Sequence, residues 1–315
     1  MVAFRTTRFI APMPGLQRGA SAWRESLQRI EDRGFDEVAI SEHYSLGWAM
    51  EPLTALAFAA ASSTRLRILT LVLNNDVRHP ALLAKAMATA DVLSEGRVTL
   101  GIGAGWLPDD YRALGIPFDS AGVRLARLEE AIGIIRAFFT GTNFSSHANF
   151  YDIEALEAVP PPSQVGGPPI LVGAGGPRML DLAGRVADIV GIHVTLGPHG
   201  FDEAAAREMS ASSIHSKIQR VRAAADAAGR PTPIFEFRPV IVEIDGERST
   251  GVRPGFTDYI EGHPAEFADS PAVLVGPSRQ VAESIVRWTQ ELGIELWYLG
   301  ADTEAVGRVI SDARG

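Results

Sequence analysis

From Arg97 to Phe139 the chain reads RVTLGIGAGWLPDDYRALGIPFDSAGVRLARLEEAIGIIRAFF, and few folds accept its succession of local patterns. Arg97 to Leu100 alternates polar with apolar residues, the two-residue period of a strand. Gly101, Gly103 and Gly105 follow, where the backbone can turn sharply or approach a ligand closely. An acidic loop comes next. Then Leu125, Leu128, Ile132, Ile135 and Phe139 recur at helical spacing among Arg124, Arg127, Glu129, Glu130 and Arg136, so one helix face is buried and the other wet. Asp119 and Ser120 suit the helix start, because a short side-chain oxygen there accepts from first-turn amides.

The same order repeats along the chain. Predicted strands at 8–11, 36–40, 66–73, 98–101, 170–172, 188–192, 234–244 and 294–299 alternate with predicted helices at 20–32, 52–61, 80–93, 123–139, 177–186, 204–228, 278–292 and 303–311. Runs such as ILTLVL and ILVG are nearly continuously apolar, as expected of a parallel sheet covered on both faces. Eight such units predict an α/β fold of the (β/α)8 TIM-barrel type, which takes about 250 residues plus insertions. The 315 residues then form one domain, 1–315, with insertions near 140–168 and 246–276. The first insertion should carry a short hairpin, and either could be a lid or a surface loop.

Composition narrows the function. A formal net charge of −9 argues against a general nucleic-acid binder, which needs a basic face to replace phosphate counterions. The absence of cysteine excludes disulfides, thiolate metal sites and a cysteine nucleophile. No apolar run approaches the roughly 18 residues of a membrane span, and MVAFRTTRFIAPMP lacks the apolar core of a signal peptide. A cytoplasmic enzyme acting on a small organic molecule is the expectation, with no membrane partner.

The glycine clusters invite a dinucleotide-fold reading, but the first has Trp106 where a third glycine is required. The second, Gly173, Ala174, Gly175 and Gly176 ahead of Pro177, fits an anion site at a helix start instead. An aspartate at Gly175 should set charge and bulk beside a phosphate there. A tight packing turn is the bland alternative.

In a βα barrel, chemistry gathers where strands end. His43 follows the second predicted strand beside Glu42, which could orient it, and is the best acid/base candidate. Asn74 and Asn75 offer amides but are also ordinary turn formers. Met13, Tyr44, Trp48 and Trp106 are candidate walls of a substrate pocket, or plain core. His43, His79 and His193 permit a metal-dependent hydrolase with Asp76 or Asp109, although no closely spaced histidine pair supports it. Glu42 with Asp109 or Asp110 would serve glycoside hydrolysis only at a separation that the sequence leaves open.

The segments GFDEVAISEHY, LVLNNDVRHPALLAKAMATADVLSEGRVTLGIGAGW, YRALGIPFDSAGVRLARLEEAIGIIRAFFTG and PPILVGAGGPRMLDLAGRVADIVG together resemble the bacterial luciferase-like superfamily, and within it the oxidoreductases that use the deazaflavin coenzyme F420. The resemblance covers most of residues 1 to 300. It implies hydride transfer between the coenzyme and an organic substrate, a non-prolyl cis peptide near Leu71 and Val72, and a homodimer. By position it implies that Glu42 and His43 contact the cofactor and handle a proton, that Leu71, Val72, Asn74 and Gly103 line its ring, and that Gly173 to Pro177 hold its phosphate. Trp106 departs from the sugar-phosphate dehydrogenases of this branch, which place a catalytic glutamate there, and an indole cannot donate a proton in that role. An FMN-dependent monooxygenase is the alternative, since flavin-using members share the glutamate and histidine. A barrel that binds cofactor without turnover is a further one.

Overall fold

The computed structural model describes residues 6–16, 19–47, 50–196, 200–250 and 253–315, so the proposed pocket residue Trp48 lies outside the described residues. Eight parallel strands carry the architecture: β1 (Arg8–Pro12), β2 (Glu37–Ile40), β3 (Arg67–Thr70), β4 (Val98–Gly103), β5 (Ile170–Ala174), β6 (Ile189–Ile192), β7 (Ile234–Phe237) and β8 (Ile294–Tyr298). Each pairs with its neighbour in sequence, β8 pairs with β1, and β3 with β4, so the strand order closes on itself. This is the eight-stranded parallel barrel with flanking helices that the sequence predicts.

The chain divides into two compact units. One comprises Pro14–Leu27 and Ala39–Val172; the other comprises Met1–Met13, Gln28–Val38 and Gly173–Gly315. Within the first, β3 and β4 are clamped by Thr70, whose hydroxyl donates to the Gly101 carbonyl at 2.9 Å and accepts from the Gly101 amide at 2.8 Å. A Cβ at Gly101 would lie 1.8 Å from the Thr70 carbonyl oxygen, so this glycine serves strand packing rather than a ligand. The insertion after the long helix Ala121–Phe139 forms an antiparallel pair, Phe144–His147 with Asp152–Leu156.

Three predicted elements are corrected. The run 66–73 is not one strand: β3 stops at Thr70, the Leu71–Val72 peptide is cis, and Leu73–Asn74 resumes pairing with β4. The run 234–244 also splits. Pro239 has no N–H to offer a ladder, and Ile241–Ile244 joins a separate sheet, parallel to Val273–Gly276 and antiparallel to Glu247–Arg248. The predicted helix 204–228 is two helices, Glu203–Arg207 and Ala211–Ala227. Among the described residues no helix is long and apolar enough to cross a membrane.

Candidate active site

In the first unit the chemistry collects after β2, β3 and β4. The supposed acidic loop after β4 is in fact a helix, Pro108–Leu114. Proline at its start and Gly115 in the left-handed conformation at its end (φ 68°) frame it, a signal readable in the sequence. Its short turn sends Asp109 and Arg112 outward, where they pair with each other at 2.7 Å, and buries Asp110 and Tyr111.

Asp110 is the residue that sequence reasoning undervalued. Its Oδ2 lies 2.8 Å from His43 Nδ1, while Oδ1 accepts from the backbone amides of Tyr44 and Ser45, each at 2.8 Å, and from the Ser45 hydroxyl at 2.7 Å. Burial works to raise its pKa, but the bonds from Ser45, His43 and the Tyr44 amide outweigh it and hold the carboxyl below its usual range. Asp110 is therefore ionised at neutral pH, and His43 Nδ1 is the nitrogen that carries a proton toward it.

Glu42, expected to orient His43, has other work. Arg78 Nη2 reaches its Oε1 at 2.6 Å, the Tyr44 hydroxyl donates to the same oxygen at 2.8 Å, and the Asn74 amide donates to Oε2 at 2.8 Å. That last bond anchors the strand where it resumes beyond the cis peptide. Arg78 also bridges to Glu51 at 2.7 Å, and these partners raise its pKa against the opposing effect of burial. Burial, and then the bond to Glu42, push the Tyr44 hydroxyl up to about 12, so it stays a donor.

The remaining predicted residues divide. Trp106 stands edge-on to His43, ring centroids 5.8 Å apart, and with Tyr44 joins the His43–Asp110 pair. Asn74 spends its side-chain oxygen on a local turn, accepting from the Asp76 amide at 3.1 Å and the Tyr111 hydroxyl at 3.2 Å. A Cβ on Gly103 would meet Val72 Cγ2 at 3.1 Å, and Gly105 (φ 73°) has no room for one beside Tyr111 and Asn74. Asp76 and Arg127 pair at 2.9 Å beneath this turn. Asp76 Oδ1 and Arg78 Nη1 are buried without a hydrogen-bond partner.

Three predicted groups fall in the second unit. Met13 is buried at the end of its segment. His193 follows β6 and packs edge-on to Phe201 with centroids 5.7 Å apart. Gly173 to Pro177 connect β5 to the helix Pro177–Val186, whose start has no side-chain cap and so presents backbone amides. Gly175 is held by packing: a Cβ there would sit 2.0 Å from the Val194 carbonyl oxygen, so an aspartate would break the loop before it repelled any phosphate. Gly176 has space, its nearest contact being 3.5 Å. Lys217, not foreseen, staples the loop, its Nζ donating to the carbonyls of Gly175 at 3.1 Å and His193 at 2.6 Å and to Glu208 at 2.6 Å. Among the described residues no group of three or more His, Cys, Asp or Glu side chains could hold a metal ion.

Residues 3–247 match the family model described as luciferase-like monooxygenase. An F420-dependent glucose-6-phosphate dehydrogenase of Beutenbergia cavernae is 37% identical over 164 residues, 50% of this chain and 48% of that enzyme. An FMNH(2)-dependent dimethylsulfone monooxygenase of Pseudomonas putida is 26% identical over 310 residues, 87% of this chain and 81% of that one. The solved structure of an F420-dependent secondary alcohol dehydrogenase, 17% identical, shares the fold with a TM-score of 0.70, covering 98% of this chain and 97% of the other.

Proposed function

The chain belongs to the luciferase-like monooxygenase family, and from that premise we propose that it is an F420-dependent oxidoreductase that transfers a hydride between the deazaflavin and an organic substrate. The observation that carries this reading is the His43–Asp110 pair. A histidine whose Nδ1 is committed to an ionised carboxylate has one ring nitrogen, Nε2, through which to give or take a substrate proton. Bound deazaflavin supplies the two-electron step as a hydride donor or acceptor that reacts poorly with oxygen.

The residues present suit such a group. The buried, unpartnered Arg78 Nη1 and Asp76 Oδ1 are a donor and an acceptor left for the polar edge and hydroxylated chain of a flavin-type molecule. Glu42, engaged at both oxygens, works here as a positioning residue that fixes Arg78, Tyr44 and the Asn74 backbone. Trp106 gives the substrate an apolar wall where sugar-phosphate dehydrogenases of the F420 branch carry a carboxylate, which argues for an alcohol, imine or enone over a sugar phosphate. The phosphate role of Gly173–Pro177 rests on that loop alone and on its uncapped helix start.

The second reading is an FMN-dependent monooxygenase, favoured by the longer span of the Pseudomonas putida match. Parallel titrations with F420 and FMN, followed by fluorescence and absorbance, separate the two. Saturable F420 binding with weak FMN binding supports the reductase. The reverse preference, with oxygen consumption when reduced FMN is supplied, replaces it by the monooxygenase.

A further inference from the structure

The helix Pro108–Leu114 is too short to hold itself. Isolated helices below about 12 residues are marginal in water, and this one starts after Leu107 with no side-chain cap. Five of its seven residues are exposed, Asp109 and Arg112 among them, so its buried anchors are Asp110 and Tyr111. Consecutive helical positions point about 100° apart. Asp110 grips the loop after β2, and Tyr111 must therefore grip something else.

Tyr111 grips the turn beyond β3. Its ring is 1% exposed and stands edge-on to Phe118, centroids 4.8 Å apart. Its hydroxyl donates to Asp76 Oδ2 at 3.0 Å, with Asn74 Oδ1 at 3.2 Å and the Ala104 carbonyl at 3.4 Å as further acceptors. Burial, and then the Asp76 charge, raise the pKa of the phenol, which stays a donor. The seat exists because residue 105 is glycine: a Cβ there would lie 2.0 Å from the Tyr111 hydroxyl oxygen. Arg127 holds Asp76 at 2.9 Å and also pairs with Asp119, so the segment that follows the short helix is tied to the same arginine.

We propose that Tyr111 is a positioning residue of the His43 site: its hydroxyl, seated on Asp76, fixes the roll of the short helix and so the contact between Asp110 and His43. The two buried side chains share one helical turn. A roll that lifted the phenol from its seat would swing Asp110 Oδ2 away from the 2.8 Å it keeps to Nδ1. The catalytic meaning of this role rests on the reading of His43 as the acid/base group, whereas the contact that it sets does not.

Nitrogen NMR of the isotope-labelled full chain at about pH 8, where an ordinary imidazole is neutral, reads that contact directly and needs no cofactor. Loss of the signals in His43→Ala identifies the ring. Its proton is expected on Nδ1, facing Asp110, in the wild type. Tyr111→Phe keeps the aromatic ring and removes the hydroxyl, and should shift the tautomer ratio toward Nε2–H about threefold or more, the scale of one hydrogen bond. Tyr151→Phe, which removes the hydroxyl facing Asn75 at 3.5 Å in the same turn, should leave the ratio within about twofold. Asp76→Asn removes the charge of the seat instead of the phenol and should shift the ratio in the same direction, a second route should Tyr111→Phe fold poorly. An unchanged ratio in folded Tyr111→Phe, or in Asp76→Asn where that variant stands in for it, overturns the proposal. So does an equal shift in Tyr151→Phe, or a wild-type ring that already carries its proton on Nε2. Failure to bind F420 with the Tyr111 effect intact would remove the oxidoreductase reading and leave this positioning role standing.

Discussion

Asp110 Oδ2 stands 2.8 Å from His43 Nδ1 although 67 positions separate the two residues. A helix of seven residues, Pro108–Leu114, makes that contact by delivering one carboxylate to the loop after β2. The same carboxylate takes the Tyr44 and Ser45 amides, so it shapes the loop and orients the ring together.

Asp110→Asn should therefore lower kcat roughly 10- to 100-fold with KM little changed, because an amide can present its NH2 to Nδ1 and reverse the tautomer. His43→Ala should lower kcat at least as far while leaving F420 affinity within about threefold. Steady-state kinetics with a fluorescence-determined Kd separate the two effects. An unchanged rate in His43→Ala removes this residue from the mechanism.

The depressed Asp110 pKa also carries a stability signature. A carboxyl whose folded pKa lies below its unfolded value, about 3.9, contributes stability present above that value and lost as pH falls through the folded one. The advantage of wild type over Asp110→Asn in thermal melts should be present at pH 6 to 7, roughly, and should vanish in acid. A constant difference at all pH values would mean that the charge is irrelevant.

Glu236 should show the opposite sign. Its folded pKa, about 8, exceeds the ordinary value, so its contribution is complete below about pH 4.3 and lost as pH rises through 8. Glu236→Gln should therefore gain on wild type in thermal stability as pH climbs across that window. Melting curves that stay parallel would show that the buried carboxyl does not titrate there.

The loop after β5 offers a clean pair of variants. Gly175→Ala forces a Cβ against the Val194 carbonyl and should destabilise the fold. Gly176→Asp has room and places a favourable cap at the helix start, so it should keep or raise the melting temperature while weakening F420 binding about tenfold or more through charge repulsion. Retained affinity would move the phosphate elsewhere.

Lys217→Met tests the staple beneath that loop. Removing the ammonium leaves the Gly175 and His193 carbonyls without this donor and Glu208 with the Thr195 amide, and should cost about 2 kcal/mol in urea unfolding, the scale of polar groups left unsatisfied. A loss within 0.5 kcal/mol, roughly the effect of a neutral surface change, would show that the loop holds itself.

The barrel was legible because its signals are local. Apolar runs such as Ile68 to Leu73 and Ile170 to Val172, each followed by a helix with a wet and a dry face, need no distant partner to be recognised. Breaks were less legible: Pro239 marks the end of β7 only once it is asked which strand it would have to bond. The helix at Pro108 was readable from its proline and glycine, yet its acids looked like loop residues.

By itself the sequence determined the order of strands and helices, the glycines at strand ends and the candidacy of His43, since these depend on neighbours along the chain. Tertiary structure alone decided which carboxylate holds His43, that Glu42 belongs to Arg78, and that Gly175 answers to Val194. Those are distances between residues far apart in sequence. Charge and hydrogen-bond pairing follow proximity in space, which spacing along the chain does not encode.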